Sequence, residues 1–299
     1  MTVSLHYKLH EVAPLINWGY FFHAWGLPFS YGELIAQECT CPACQSVNQR
    51  QLEFSEQRRQ QEARELYQEA LALLIEMEEK GIQSHARIGL YDANGLDNDI
   101  LIWDDEGRKH ILPLLRQQHG QTCRCLSDYI RPYNSGVRDR IGVFVSSVDE
   151  AMEKSYPDDH YRHFICQTLA DRLAEATIET AHQYVRRQLW GYAPDESLTT
   201  QQLWDEAYQG RRPAVGYPSI PDQSFNFLLD DILDYSQIGV RLTQSAAMIP
   251  HASTSGLMIS HPAMRHFAVG KIGSDQLADY ARRCNKSIQQ VKVFLSANL

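Results

Sequence analysis

The chain is 299 residues long, 43% hydrophobic and 22% charged, with a formal net charge of −9 at pH 7. This is the balance of a globular chain long enough to bury a sizeable core, and its acidity argues against broad binding to nucleic acid or anionic membranes, which reward a basic surface. No apolar run approaches the ~18 residues of a membrane-spanning helix, and no basic segment followed by an apolar one opens the chain, so a cytoplasmic location is expected.

Residues 1–38 are rich in aromatics, with Trp18, Tyr20, Phe21, Phe22 and Trp25 close together, a composition that suits core or interface packing. Next comes Cys39-Thr40-Cys41-Pro42-Ala43-Cys44, which has metal-ligand spacing and could chelate a soft metal or cycle as a dithiol. Structural zinc needs four ligands, and the other candidates, His119, Cys123 and Cys125, lie far away in sequence. Seven cysteines, an odd number without a secretion signal, favour reduced thiols. Residues 1–55 thus read as an N-terminal segment with a Cys-rich insertion.

From about Glu56 to Glu79 apolar residues recur every three or four positions and Gly81 follows as a stop, which predicts a long amphipathic helix. Strands are predicted around Ile88 and Leu90, at Ile100–Trp103, at Ile111–Leu115 after the turn Asp104-Asp105-Glu106-Gly107, and at Ile141–Val145. A second long helix is expected from about Asp158 to Leu189, with Asp171 and Glu175 on one face, either paired with Arg172 or Arg186 or aimed at a ligand. Thr199-x-x-Gln202 and Ser287-x-x-Gln290 are capping boxes that open further helices, the first running to about Tyr208. Between them we expect a helix near Phe225–Tyr235, strands near Arg241–Met248, Leu257–Ser260 and Phe267–Ile272, and a first closing helix.

Strands and helices without regular βαβ alternation predict an α+β fold, an antiparallel or mixed twisted sheet flanked by long helices. No internal repeat or low-complexity linker divides residues 1–299, so a single domain is expected. Neither Gly-x-Gly-x-x-Gly nor a Walker loop occurs, which argues against a Rossmann-type methyltransferase.

One stretch suits neither helix nor strand. In Arg211-Arg212-Pro213-Ala214-Val215-Gly216-Tyr217-Pro218 two prolines enforce extended backbone. Gly216 lets the main chain approach a ligand, Arg212 offers a planar fork for a carboxylate or phosphate, and Tyr217 adds an aromatic wall. The stretch reads either as a small-molecule clamp or as a Pro-rich surface loop.

Together with Leu169-Ala-Asp-Arg-Leu-Ala-Glu-Ala176, Trp190-Gly-Tyr-Ala-Pro194, Tyr208-Gln-Gly210 and Ala278-Asp-Tyr-Ala-Arg-Arg283, this stretch resembles the C-terminal activation domain of cobalamin-dependent methionine synthase. The likeness is dense over residues 160–299 and weaker back to about residue 15. It implies a helmet-shaped α+β fold with a shallow groove for S-adenosylmethionine. In that family the ligand's methyl group and an electron from flavodoxin or a related reductase restore methylcobalamin from the inactive Co(II) state.

By the same resemblance Arg212 takes the ligand's carboxylate, Ala214, Gly216 and Tyr217 line the groove, and Glu175 and Glu206 are acidic residues near the ligand. The family's early Asp is here Asn17, and its late Tyr-Tyr pair is His266-Phe267. Residues 248–256 match the segment facing the corrinoid, with Met248, Pro250, Ala252 and Ser253 as candidates.

The chain lacks Asp-x-His-x-x-Gly, the nearest string being Asp158-Asp-His-Tyr-Arg-His163, and it has no length for homocysteine or folate barrels. Cobalamin is therefore expected on a partner, a corrinoid-binding protein or split methionine synthase. Methyl transfer from a sulfonium to Co(I) needs positioning rather than acid–base groups, and no triad or paired catalytic carboxylates stand out. Two alternatives remain: a non-catalytic docking module that has lost affinity for S-adenosylmethionine, motivated by Asn17, His266 and Phe267, and a metal or redox protein built on Cys39, Cys41 and Cys44.

Overall fold

A computed structural model of the chain describes residues 1–32 and 54–299. Cys39, Cys41 and Cys44 lie outside the described residues. Among the described residues no group of three or more His, Cys, Asp or Glu side chains is arranged to hold a metal ion, and no helix is long and apolar enough to cross a membrane.

The sheet is organised by β2 (Gln83–Leu96). Its first half pairs with β1 (Thr2–Lys8) in the register Thr2↔Gly89 to Lys8↔Gln83, and its second half with β3 (Asp99–Trp103). β3 pairs with β4 (Lys109–Pro113). The other edge of β2 pairs with β5 (Asp139–Val148), which carries β8 (Ser253–Met258). Among the described residues every strand pairing is antiparallel, so of the antiparallel and mixed sheets expected it is the antiparallel one that forms.

Several predicted elements change. β1 was not anticipated, although Val3, Leu5 and Tyr7 alternate with polar residues. The strand expected over Arg241–Met248 is two short strands, β6 (Arg241–Leu242) and β7 (Met248–Ile249), paired with each other across a turn. The strand expected at Leu257–Ser260 begins earlier, at Ser253. Phe267–Ile272 is not a strand: it runs as an extended loop pinned by Val269 N–H to Pro218 O (2.9 Å) and by Ser219 Oγ to Phe267 O (2.6 Å).

Helices cover both faces. On one lie α1 (Leu9–Val12), α2 (Trp18–Ala24), α3 (Phe54–Glu79) and α5 (His160–Tyr184), the last following the short α4 (Glu150–Glu153). Ile165, Leu169, Leu173 and Ala176 of α5 are buried against Phe21, Phe22, Met77 and Val148. Further along, Ile178 and Ala181 meet Ile88 and Phe144 of the sheet. Each buried leucine or isoleucine among these contributes about 1.5–3 kcal/mol. α5 ends sooner than expected, passing into a π-helical turn at Val185–Leu189, a geometry that often marks functional sites. α6 (Thr200–Trp204) keeps the predicted capping box but stops before Glu206, whose φ is +52°.

On the opposite face α7 (Phe225–Leu233), α8 (Ser274–Arg283) and α9 (Ile288–Phe294) close a core that includes Ile100, Ile102, Ile141, Leu257, Phe225, Leu229, Tyr280 and Val291.

Candidate functional site: a groove between the long helix and the sheet edge

The Pro-bracketed segment is extended, and it lies along β8. Arg211 exchanges two 2.9 Å hydrogen bonds with Ile259, Leu257 N–H donates to Pro213 O (3.0 Å), and Val215 N–H donates to Ser255 O (2.9 Å). The approach is close enough that Gly256 is obligatory, since a Cβ there would sit 2.2 Å from Pro213 O. At Gly216 the chain turns away with φ +86°, a conformation glycine adopts at least cost. Gly216 N–H then donates to Ile220 O (2.8 Å).

This seam leaves a cavity of about 480 Å3 between α5, β5, β8 and the loop at 266–268. Phe144, Ile178, Pro213, Ala214, Pro218 and Phe267 form its apolar wall, while Glu175, Glu206 and Arg212 supply charge and His266 a polar ring. The volume is that of a site for a ligand of nucleoside size. The structure thus brings together Glu175, Glu206, Arg212, Ala214, Tyr217, His266 and Phe267 around one cavity, with Gly216 in the turn beside it.

Asn17 sits elsewhere. It is the N-cap of α2, its Oδ1 accepting from Gly19 N–H (3.1 Å), and it lines a separate cavity of about 290 Å3 with Trp18, Tyr20 and Trp204.

Arg212 is held from behind. Its Nη1 donates to Glu179 Oε2 (2.5 Å) and to Tyr208 Oη (2.7 Å), while its Nη2 and Nε have no protein hydrogen-bond partner among the described residues. Burial disfavours the guanidinium's charge, but Glu179 more than offsets this and its pKa is raised, so Arg212 stays cationic. A planar fork with one side tied and the other free suits bidentate contact with a carboxylate.

At the mouth, Glu206 contacts Arg211 Nε (3.0 Å) and His266 Nε2 (3.0 Å). Burial would raise the Glu206 pKa, but the hydrogen bond from His266 and the charges of His266, Arg211 and Arg212 lower it. Glu175 reaches Tyr217 Oη at 3.4 Å, and its charge, followed by burial, raises the tyrosine's pKa.

Asp171 and Glu175 are not paired with Arg186. That fully buried side chain belongs to a layer which sequence reasoning missed: it is chelated by Glu196 (2.7–3.1 Å), donates to His182 Nδ1 (2.8 Å), and lies 3.9 Å over the Tyr208 ring. Glu179 Oε1 is 3.6 Å from Arg186 Nη1. His182 is wholly buried, and burial, then Arg186, Arg212 and Arg211, push its pKa well below the usual value, so it is neutral. The signal was in the helix: Asp171, Glu175, Glu179, His182 and Arg186 recur every three or four residues, a polar stripe through the stretch where most neighbours are core.

The candidate corrinoid-facing segment is a tight turn. Pro250, after a cis peptide bond, and Ala252 are buried, Met248 is half-buried, and Ser253 Oγ donates to Pro250 O (2.7 Å). The Glu153 carboxylate accepts from the backbone N–H groups of His251 and Ala252. The His251 ring is 91% exposed, 3.7 Å from Asp171, whose pKa is raised by burial.

The family profile for the vitamin B12 dependent methionine synthase activation domain matches residues 8–285. Among solved structures the chain is similar to the MetH reactivation domain bound to AdoHcy, with 34% sequence identity, a TM-score of 0.87, and coverage of 100% of this chain and 90% of that one. A groove beside a half-tethered arginine, on a fold shared along its whole length with that domain, places the chain in the activation-domain family of vitamin B12-dependent methionine synthase.

Proposed function

We propose that this chain binds S-adenosylmethionine in the groove and supports reductive methylation of a cob(II)alamin-bearing partner protein in trans. The observation that carries the reading is Arg212: a cation with a free fork, in a cavity whose other charged lining residues are the carboxylates Glu175 and Glu206. An amino-acid carboxylate suits that fork, an ammonium or sulfonium suits Glu175 and Glu206, and an adenosine suits the wall of Phe144, Ile178, Pro218 and Phe267. The similar MetH reactivation domain holds AdoHcy, the demethylated form of the same ligand.

When bound, S-adenosylmethionine would supply a methyl group on sulfur to the partner's cobalamin, a transfer that would leave a neutral thioether and would need the corrinoid reduced by one electron from a flavodoxin-type reductase. The protein's own work is placement. Arg212 anchors one end of the ligand, the apolar wall excludes water from the other, and Tyr217 closes one side with its ring. For the corrinoid the fit is one of surface rather than cavity. Because Pro250 and Ala252 are buried, the 248–253 turn would meet a partner through its backbone, Met248, Ser253 and the exposed His251.

The test has two stages. Calorimetry with S-adenosylmethionine should show saturable binding. The chain mixed with its corrinoid partner, an electron donor and S-adenosylmethionine should then convert the Co(II) spectrum to that of methylcobalamin, which neither protein does alone. A spectrum that stays Co(II) while the ligand is demonstrably bound would leave a docking module as the function.

A further inference from the structure

Behind the groove lies a row of buried charges of alternating sign: Arg212, Glu179, Arg186 and Glu196, with side chains 17%, 6%, 0% and 6% exposed. The far end is saturated, because Arg186 already gives Nε and Nη2 to Glu196 and Nη1 to the neutral His182. Glu179 is the open link. Its Oε2 holds Arg212, while its Oε1 accepts no hydrogen bond although it is buried. A buried carboxylate kept short of partners is costly, so its place beside Arg212 calls for a functional account.

We infer that Glu179 is a positioning and specificity-determining residue: it holds Arg212 for the ligand's carboxylate and, by cancelling Arg212's charge, tunes the groove toward a sulfonium over the neutral thioether. This rests on S-adenosylmethionine being the ligand. The charges around the groove support it. Arg212 is cancelled by Glu179, and Arg211 by Glu206, which leaves Glu175 as the lining carboxylate without an ion-pair partner among the described residues. Such a groove is net anionic. It matches S-adenosylmethionine, which carries two positive charges and one negative, better than the demethylated product, which carries one of each. Once the methyl group leaves, the sulfur is neutral and the attraction drops, which favours release of the product.

The two roles separate by substitution. Glu179→Gln keeps an acceptor for Arg212 but removes the charge; Glu179→Asp keeps the charge but shortens the reach. With S-adenosylmethionine and S-adenosylhomocysteine titrated calorimetrically into each full-length variant, Glu179→Gln should cut the preference for the sulfonium about tenfold relative to wild type. Glu179→Asp should weaken both ligands by a similar factor, about five- to tenfold, and leave their ratio unchanged. If Glu179→Gln fails to fold by circular dichroism, Glu179→Asp decides: parallel loss supports positioning, and unchanged affinity for both ligands overturns it. A Glu179→Gln ratio within twofold of wild type overturns the tuning while leaving the ligand assignment standing. Wild-type protein that binds neither ligand removes the functional reading and this inference together.

Discussion

Arg212→Ala is the sharpest perturbation, because the residue is tied on one side and free on the other. Truncation strips a charge-assisted, bidentate partner from the ligand's carboxylate, a loss of about 2–4 kcal/mol, or about 30- to 1,000-fold in Kd. It also leaves Glu179 buried, with Arg186 at 3.6 Å as the nearest cation. Breaking a buried pair by removing one member costs about 3–5 kcal/mol of stability, and the remaining Arg186 puts this case near the lower bound. Adding Glu179→Gln to Arg212→Ala should recover most of that stability without restoring binding. Arg212→Lys should rescue only part of the affinity, since an ammonium cannot hold Glu179 and a carboxylate in the same plane. The assay is calorimetric titration of S-adenosylmethionine alongside thermal unfolding. An alanine variant that folds and binds with unchanged affinity would refute the assignment.

Other consequences are as direct. Gly256→Ala should push Pro213 off β8, lower stability by about 1–3 kcal/mol and weaken ligand binding in parallel; binding intact beside a lowered melting temperature would separate seam from groove. Because His182 is buried neutral, the unfolded chain takes up a proton below about pH 6.5 that the folded chain refuses. The unfolding free energy should therefore fall with decreasing pH by about 1.4 kcal/mol per unit from this residue, and His182→Gln should flatten the slope in denaturant titrations. Glu206, with its lowered pKa, contributes stability above its unfolded value near 4.3 that is lost as pH falls through the folded one, so Glu206→Gln should reduce acid sensitivity below about pH 4. Asn17→Asp keeps an acceptor for the α2 cap and adds an anion in the separate cavity that residue 17 lines. Because that cavity is apart from the groove, we expect S-adenosylmethionine affinity within about twofold of wild type and an unchanged melting temperature, and clearly tighter binding would bring residue 17 within reach of the ligand.

The segment from Arg211 to Pro218 was legible because proline and glycine act locally: they set backbone angles whatever the rest of the chain does. The long helices were legible from periodicity, and both capping boxes sit where their spacing put them. The buried layer was not. On a helix Glu179 and Arg186 look like any solvated pair, and only the sheet beneath and the Tyr208 ring above show that water cannot reach them. Phe267–Ile272 misled for a related reason. Phe267 and Val269 alternate with exposed neighbours well enough to suggest a strand, yet the partners of this stretch are Pro218, Ser219 and the C-terminal helices rather than a sheet edge. Side-chain pattern reports burial, and it cannot say against what.

The seam between residues 211–215 and β8 is at once the last row of the sheet and the wall of the groove. Backbone amides therefore report on the ligand. Leu257, Ile259, Arg211 and Val215 donate the hydrogen bonds that hold the two together, and a molecule gripping Arg212 can dwell only while they are closed. Occupancy should slow hydrogen–deuterium exchange at these four amides well before it affects the β2–β5 pairing at the centre, so the edge would breathe in the free protein and freeze in the complex.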